Sequence, residues 1–181
     1  MRNAYLPDEV LRGNQLELQP LEPRHAVVLF DGLQDQRLYD FIADQPPVSV
    51  EALRARYMRL AGRRSPDDSQ IWLNWAVWSD DEARFIGYVQ ATILPDTRAV
   101  VAYVLFPDAW GKGYAFEAVG LMIAYLRTAQ PDLEIGAYVD VRNGRSIALL
   151  GRLGFTCIAV KKDAELVGEI STDEAEFRLG R

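Results

Sequence analysis

The chain has 181 residues, about half of them apolar and one quarter charged, which fits a single globular domain over residues 1–181 and excludes a disordered chain. Its formal net charge of −6 argues against nucleic acid as a partner and fits a cationic substrate. The apolar stretches are shorter than the roughly 18 residues that span a bilayer, and residues 1–5 lack the apolar core of a secretion signal, so we expect a cytoplasmic protein without a membrane partner.

The first third of the chain predicts one strand and several helical segments. Residues 16–21 alternate apolar with polar side chains, which is typical of a strand. Residues 24–33 predict a helix and residues 37–42 a short helical piece. After a proline pair, Ser49 is placed to cap the next helix, which Gly62 ends.

The middle of the chain predicts strands. Residues 71–78 and 85–94 are rich in aromatic and β-branched side chains and are separated by the polar turn 80–82, which predicts a hairpin. Residues 99–105 are continuously apolar, as expected of a strand at the centre of a sheet.

The last third alternates helices and strands. Residues 115–127 predict a helix that Pro131 closes, and residues 133–141 predict a strand. Asn143 is placed to cap a short helix that ends at Gly154.

Residues 155–161 and 174–179 predict a closing hairpin. Cys157, the one cysteine, cannot form an internal disulfide, and we expect a buried structural thiol and no metal site. The element order predicts an α+β fold: a mixed, mostly antiparallel central sheet of about seven strands with helices on both faces.

A glycine-rich turn follows the central strand. The loop 106–113 leads into a long helix, whose first amides have no partner within the helix and lie at its positive end. Gly111 and Gly113 lack the Cβ atoms that would hold a phosphate away from those amides, and Lys112 adds a positive charge. The turn therefore predicts an anion site suited to a diphosphate.

Three known anion-binding motifs compete for this turn. A P-loop would need serine or threonine after Lys112, and a dinucleotide fingerprint would need a third glycine where Phe116 stands. The acetyl-CoA turn, Gln/Arg-x-x-Gly-x-Gly/Ala, is met at Gly113 and Ala115, although its first position is Trp110.

Two motifs together resemble one enzyme family. Residues 102–105, the run Trp-Gly-Lys-Gly-Tyr-Ala at 110–115 and residues 117–118 are similar to the cofactor motif of the GNAT N-acetyltransferases, closest to their RimJ/RimL-like branch. Residues 143–146, followed by Leu-Gly-Phe at 153–155, resemble the second signature of that branch.

The resemblance implies a fold and a cofactor site. Strands 99–105 and 133–141 would splay apart, and the pantetheine arm of acetyl-CoA would pair with the backbone of the first strand near its end. Amides of residues 111–115 would hold the pyrophosphate. The implied acetyl-CoA-binding residues are Tyr103, Val104, Leu105, Trp110, Gly111, Lys112, Gly113, Tyr114, Ala115 and Asn143.

The implied reaction is acetyl transfer to a primary amine of a small molecule or a protein N-terminus by direct attack. An alkylamine with a pKa near 10.4 is only about one part in 10³ deprotonated at pH 7, so the amine must lose a proton. The resemblance makes Ser146 the catalytic donor to the departing thiolate; the alternative is a serine that only satisfies helix amides. Leu150 stands where other branches carry a tyrosine donor.

The general base stays open. Residues 99–101 are apolar where many relatives carry a glutamate. Asp140, or Tyr103 or Tyr138 acting through water, are candidates, and each is also explained by a structural role. His25, the only histidine, is far in sequence from both motifs, and we do not expect it to be catalytic.

We expect the acceptor to bind residues 39–78. Trp72, Asn74 and Trp78 would share one strand face and Trp75 the other, and one tryptophan with Tyr39 or Phe41 would line an amine pocket. An alternative function is a non-catalytic acyl-CoA-binding member of the same fold that acts as a sensor or scaffold. Monomer and homodimer both stay open.

Overall fold

A computed structural model describes residues 9–180 of the chain. Residues 1–5, on which the expectation about a secretion signal rests, lie outside the described residues.

Within residues 9–180, eight strands form one sheet in the order β1-β2-β3-β4-β5-β6-β8-β7. The strands are β1 (Leu11–Arg12), β2 (Leu16–Pro20), β3 (Ile71–Ser79), β4 (Arg84–Ile93), β5 (Arg98–Leu105), β6 (Glu134–Asp140), β7 (Phe155–Val167) and β8 (Ile170–Leu179). Among the strands of the described residues, only β5 and β6 pair in parallel, so the predicted mixed, mostly antiparallel sheet is confirmed. The strand beyond the expected seven is β1, a two-residue strand at the edge beside β2.

Four α-helices lie within the described part of the chain: α1 (His25–Leu29), α2 (Val50–Ala61), α3 (Tyr114–Ala129) and α4 (Gly144–Arg152). The predicted cap of α2 is present, since Ser49 Oγ accepts a hydrogen bond from Ala52 N at 3.1 Å. No helix in residues 9–180 combines the length and the apolar character needed to cross a membrane.

Helix α1 is shorter than the predicted segment 24–33. The chain continues as a 3-10 turn at Gly32–Gln34, and a second 3-10 turn, Gln36–Tyr39, replaces the predicted helical piece 37–42. Asp35 separates the two turns because its extended backbone breaks the helix while its carboxylate accepts from Arg37 N at 3.0 Å.

The sheet buries a hydrophobic cluster on each face. Trp75 and Val77 of β3 enter the first cluster with α3, and Trp75 packs edge-to-face against Tyr125 at 5.6 Å between ring centres. Ala76, which points the other way, enters the second cluster with residues of α1 and α2. Helices therefore cover both faces, as predicted.

The parallel strands separate after three residue pairs. Arg98, Ala99 and Val100 of β5 pair with 134–136 of β6, and the remainder of β5 lies beyond this pairing. The predicted splay is confirmed, and it leaves one backbone edge of β5 facing an opening.

The last two strands are longer than predicted. The predicted burial of Cys157 is contradicted. The thiol is exposed rather than buried. Strand β7 is the outermost strand, and all of its side chains from residue 156 to residue 163 are exposed. The prediction was wrong because it rested on the usual burial of a free cysteine, whereas Cys157 lies on an edge strand.

Candidate functional site

A cleft of about 390 Å³ opens where β5 and β6 separate. It is bounded by the end of β5, the loop that follows, the start of α3 and one side of α4. Ten of the eleven residues predicted for the site line it: Tyr103, Val104, Leu105, Trp110, Gly111, Gly113, Tyr114, Ala115, Asn143 and Ser146. The structure thus brings two distant sequence motifs to one cavity.

The glycine-rich turn presents open backbone amides. Gly111 and Gly113 have left-handed φ angles of 76° and 84°, and a Cβ added at either would meet no atom within 4 Å. Gly113 is the N-cap of α3 and supplies no side chain to bond the helix amides. Because Phe116 N is the first amide bonded to Gly113 O, at 3.0 Å, the amides of Tyr114 and Ala115 have no helical partner. This geometry suits an anion.

Trp110 joins the turn to the strand before it. Its Nε1 donates to Leu105 O at 2.7 Å, and the guanidinium carbon of Arg145 lies 3.9 Å from the centre of its ring. Trp110 stands where the motif usually has Gln or Arg. It therefore holds the turn against the end of β5, and its ring contacts the cationic side chain of Arg145 at the cleft.

The backbone of β5 offers further hydrogen-bonding groups. Phe106 N donates to Ile86 O at 2.8 Å while Leu105 stands opposite Gly87. In an antiparallel ladder this register makes the pairs at Leu105 and Tyr103 non-hydrogen-bonded, so their N–H and C=O groups point away from β4 and toward the opening.

The positive charges of the cleft are arginines rather than the predicted lysine. Lys112 forms an ion pair with Glu82, and this hydrogen bond is the main cause that lowers the pKa of Glu82. Arg145 and Arg152 of α4 line the cleft, and Arg152 lies 4.8 Å from the ring centre of Phe116. Neither was predicted as a site residue from the sequence; their spacing of seven residues, two helical turns, was the available signal.

A pair of hydroxyls lies on the cleft wall. Tyr103 Oη and Ser146 Oγ are 2.6 Å apart, although 43 residues separate them in sequence. Ser146 N donates to Asn143 Oδ1 at 3.0 Å, so Asn143 caps α4 as predicted. The serine hydroxyl is thereby left to the tyrosine and the cleft.

The structure disfavours two of the candidate bases. The Asp140 side chain is only 3% exposed and receives three hydrogen bonds from the Arg142 guanidinium, which lower the pKa of its carboxyl. Burial raises the pKa of Tyr103, so the group stays a protonated phenol at neutral pH and has no phenolate available to take up the amine proton. Tyr138 lies exposed on β6.

His25 is buried in α1, and its Nδ1 accepts a hydrogen bond from Glu22 N at 3.0 Å. Its ring packs edge-on against Phe85 of the second cluster, 5.1 Å away between ring centres. This position gives the histidine a structural role.

The expected acceptor residues separate into two groups. Phe41 lines the cleft, and Tyr39 lines a separate small cavity while its hydroxyl donates to Leu33 O at 2.8 Å. The three tryptophans of β3 are engaged elsewhere: Trp75 in the core, Trp72 with Gln70 and Trp78 with Asp80. Among the aromatic side chains expected to bind the acceptor, Phe41 from the segment before α2 reaches the cleft, and none of the three β3 tryptophans does.

Among residues 9–180, no group of three or more His, Cys, Asp or Glu side chains is arranged to hold a metal ion.

Comparison with known proteins matches the chain to a family model. Residues 15–156 match the family described as the acetyltransferase (GNAT) domain. An uncharacterized N-acetyltransferase of Bacillus subtilis (strain 168), YoaA, is 29% identical over 85 residues. That match covers 46% of this chain and 48% of YoaA, so the chain aligns with about half the length of this relative.

Solved structures show the same fold. The ribosomal-protein-S5-alanine acetyltransferase from Vibrio fischeri has a TM-score of 0.81 at 21% identity, over 94% of this chain and 96% of that chain. RimL, a ribosomal L7/L12 alpha-N-protein acetyltransferase solved with coenzyme A, has a TM-score of 0.81 at 18% identity, over 94% and 97%. A GNAT-family acetyltransferase from Bacillus anthracis has a TM-score of 0.78 at 16% identity, over 94% and 98%.

Proposed function

The chain belongs to the GNAT acetyltransferase family, and from this premise we propose that it transfers the acetyl group of acetyl-CoA to a primary amine by direct attack. The amine belongs to a small molecule or to a protein N-terminus. The observation that carries the proposal is the cleft at the splay of β5 and β6, where open amides, the two arginines of α4 and a hydroxyl pair meet.

The cleft supplies a partner for each part of the acetyl donor. The amides of residues 111–115, at the positive end of α3, would hold the pyrophosphate. The outward backbone groups of Tyr103 and Leu105 would pair with the pantetheine arm, while Leu105 O keeps its bond to Trp110. Arg145 adds positive charge beside the turn. Lys112 contributes its amide, since Glu82 balances its ammonium.

The chemistry needs few groups. The amine nitrogen attacks the thioester carbon, the C–N bond forms and the C–S bond breaks. The nitrogen releases one proton to solvent and the sulfur takes one up, so protons balance. Ser146 is the donor we assign to the sulfur as it gains negative charge. A base is not assigned, because proximity of amine and thioester can account for much of the rate.

The acceptor side favours a cation. The net charge of −6 attracts an ammonium group. Two proteins of the same fold are named for acting on amino termini or alanine of ribosomal proteins. These observations support a protein N-terminus as the first acceptor to test and the RimJ/RimL-like branch as the place of this chain; the cytoplasm is the location we propose.

Release of free thiol from acetyl-CoA tests the function. The panel contains small primary amines and peptides, each peptide in a free and an Nα-acetylated form. We expect thiol release with at least one free amine, no release with its blocked twin, and a product heavier by one acetyl group. Tight coenzyme A binding by calorimetry without release from any amine would favour the sensor or scaffold function instead.

A further inference from the structure

The hydroxyl pair Tyr103–Ser146 joins the strand and the helix that form the cleft. Tyr103 comes from the splayed end of β5 and Ser146 from the first turn of α4, and both line the cavity. Their oxygens are 2.6 Å apart, which is within the range of a hydroxyl–hydroxyl hydrogen bond and requires one of them to donate.

Either hydroxyl could donate in this pair, and the chemistry favours Tyr103 as the donor. A phenol is more acidic than an aliphatic alcohol, so it gives the stronger hydrogen bond when it donates. Burial is the main cause that raises the pKa of Tyr103, so the phenol keeps its proton at neutral pH. When Ser146 Oγ accepts this hydrogen bond, the O–H of the serine points away from Tyr103. The α4 amide beside it donates to Asn143 Oδ1, so the serine hydroxyl is not needed as a cap.

We infer that Tyr103 is a positioning residue: its phenol donates to Ser146 Oγ and so directs the serine proton into the cleft, toward the sulfur that departs as the C–S bond breaks. The inference deepens the proposed function and rests on it. Tyr103 transfers no proton of its own, and the overall balance stays as written above: one proton released by the amine, one taken up by the thiolate.

The first experiment uses the protein without ligand. Tyr103→Phe, Ser146→Ala and the double variant are unfolded in urea. We expect the urea midpoint of the double variant to shift by less than the sum of the shifts in the two single variants, because both changes remove the same hydrogen bond. Additive shifts would show that the two hydroxyls are not coupled and would overturn the inference.

The second experiment titrates the thiol of bound coenzyme A by its thiolate absorbance. We expect Ser146→Ala to lower the ionisation constant of the thiol about tenfold and Tyr103→Phe to lower it about threefold. The ionisation constant in the double variant should be no lower than in Ser146→Ala. In acetyl transfer, Tyr103→Phe lowers kcat several-fold and leaves the KM for acetyl-CoA unchanged. Tyr125→Phe, which removes the hydroxyl of an α3 phenol that packs against Trp75 outside the cleft, is the matched control and leaves all three values unchanged.

The outcomes separate the two proposals. A Tyr103→Phe titration equal to wild type, or effects that multiply in the double variant, would overturn the positioning role while acetyl transfer stands. A coupled titration without transfer to any amine would overturn the proposed function while the hydroxyl pair stands. Failure of coenzyme A to bind would overturn both.

Discussion

Gly113 determines at a single position whether the first amides of α3 stay accessible. Its φ is 84° and the space beyond it is open, so an added side chain would both strain the backbone and enter the cleft. We expect Gly113→Ala to weaken coenzyme A binding at least about tenfold and to cost about 1 kcal/mol of unfolding free energy. Calorimetry and urea unfolding measure the two effects.

Gly120 provides the matched control on the same helix. A Cβ there also meets no atom within 4 Å, but its backbone is helical. Gly120→Ala should leave affinity unchanged and raise stability by about 0.5–1 kcal/mol. Equal affinities for wild type and Gly113→Ala would refute the assignment of the turn to the pyrophosphate.

Individual roles divide into those that local sequence determines and those that tertiary contacts determine. The capping by Ser49 and Asn143 could be predicted from the sequence, because the amide that each side chain bonds lies only three residues ahead in the chain. The pair Tyr103–Ser146 could not be predicted, since strand and helix positions 43 residues apart meet only in the folded chain. The same is true of Lys112, whose partner Glu82 belongs to the preceding hairpin.

At the scale of the element, α4 carries a positive stripe along the cleft. Arg145 and Arg152 lie two turns apart and rest on aromatic rings of the turn and of α3. We expect Arg145→Gln and Arg152→Gln to weaken coenzyme A binding roughly three- to tenfold each, and the loss to shrink at high salt.

A ligand without phosphates distinguishes charge from shape in this prediction. Affinity for acetyl-pantetheine should be the same in wild type and in both α4 variants, because only the nucleotide half carries negative charge. Arg59→Gln on α2, away from the cleft, is the control for a general change of charge. A loss of acetyl-pantetheine affinity equal to that of coenzyme A would contradict the charge role.

The strands differ in how well the sequence predicts them. Strands β3, β4 and β5 begin and end within one residue of prediction because both of their faces are buried by aromatic and β-branched side chains. Strand β7 was predicted too short: its exposed, charged stretch has no alternation that would mark a strand, and pairing with β8 determines its extent.

At the scale of the whole molecule, one buried histidine couples stability to pH. The neutral Nδ1 of His25 accepts the amide of Glu22, and burial, helped by Arg24, lowers the pKa of the imidazole. The unfolded chain, with a histidine pKa near 6.5, therefore binds a proton first as the pH falls. The free energy of unfolding keeps the whole contribution of neutral His25 above about pH 6.5. It decreases as the pH falls toward the pKa of the folded histidine, by at most about 1.4 kcal/mol per pH unit.

Urea unfolding between pH 7 and pH 5 measures this slope. His25→Asn keeps an acceptor for the Glu22 amide and cannot titrate, so its slope should be flatter than that of wild type by the histidine contribution. Asp140 and the other carboxyls with lowered pKa change the free energy of unfolding only below about pH 4, outside this range. Parallel slopes in the two proteins would exclude His25 as the cause.

The position of β8 between β6 and β7 has a consequence for biosynthesis. The ribosome makes β8 after both of its neighbours, so on a nascent chain β6 lacks its antiparallel partner and β7 has no sheet to join. Translation that stops before Ile170 leaves the two strands with unsatisfied edges, which chaperones and proteases recognise. Quality control of this protein therefore depends on whether its last hairpin has been completed.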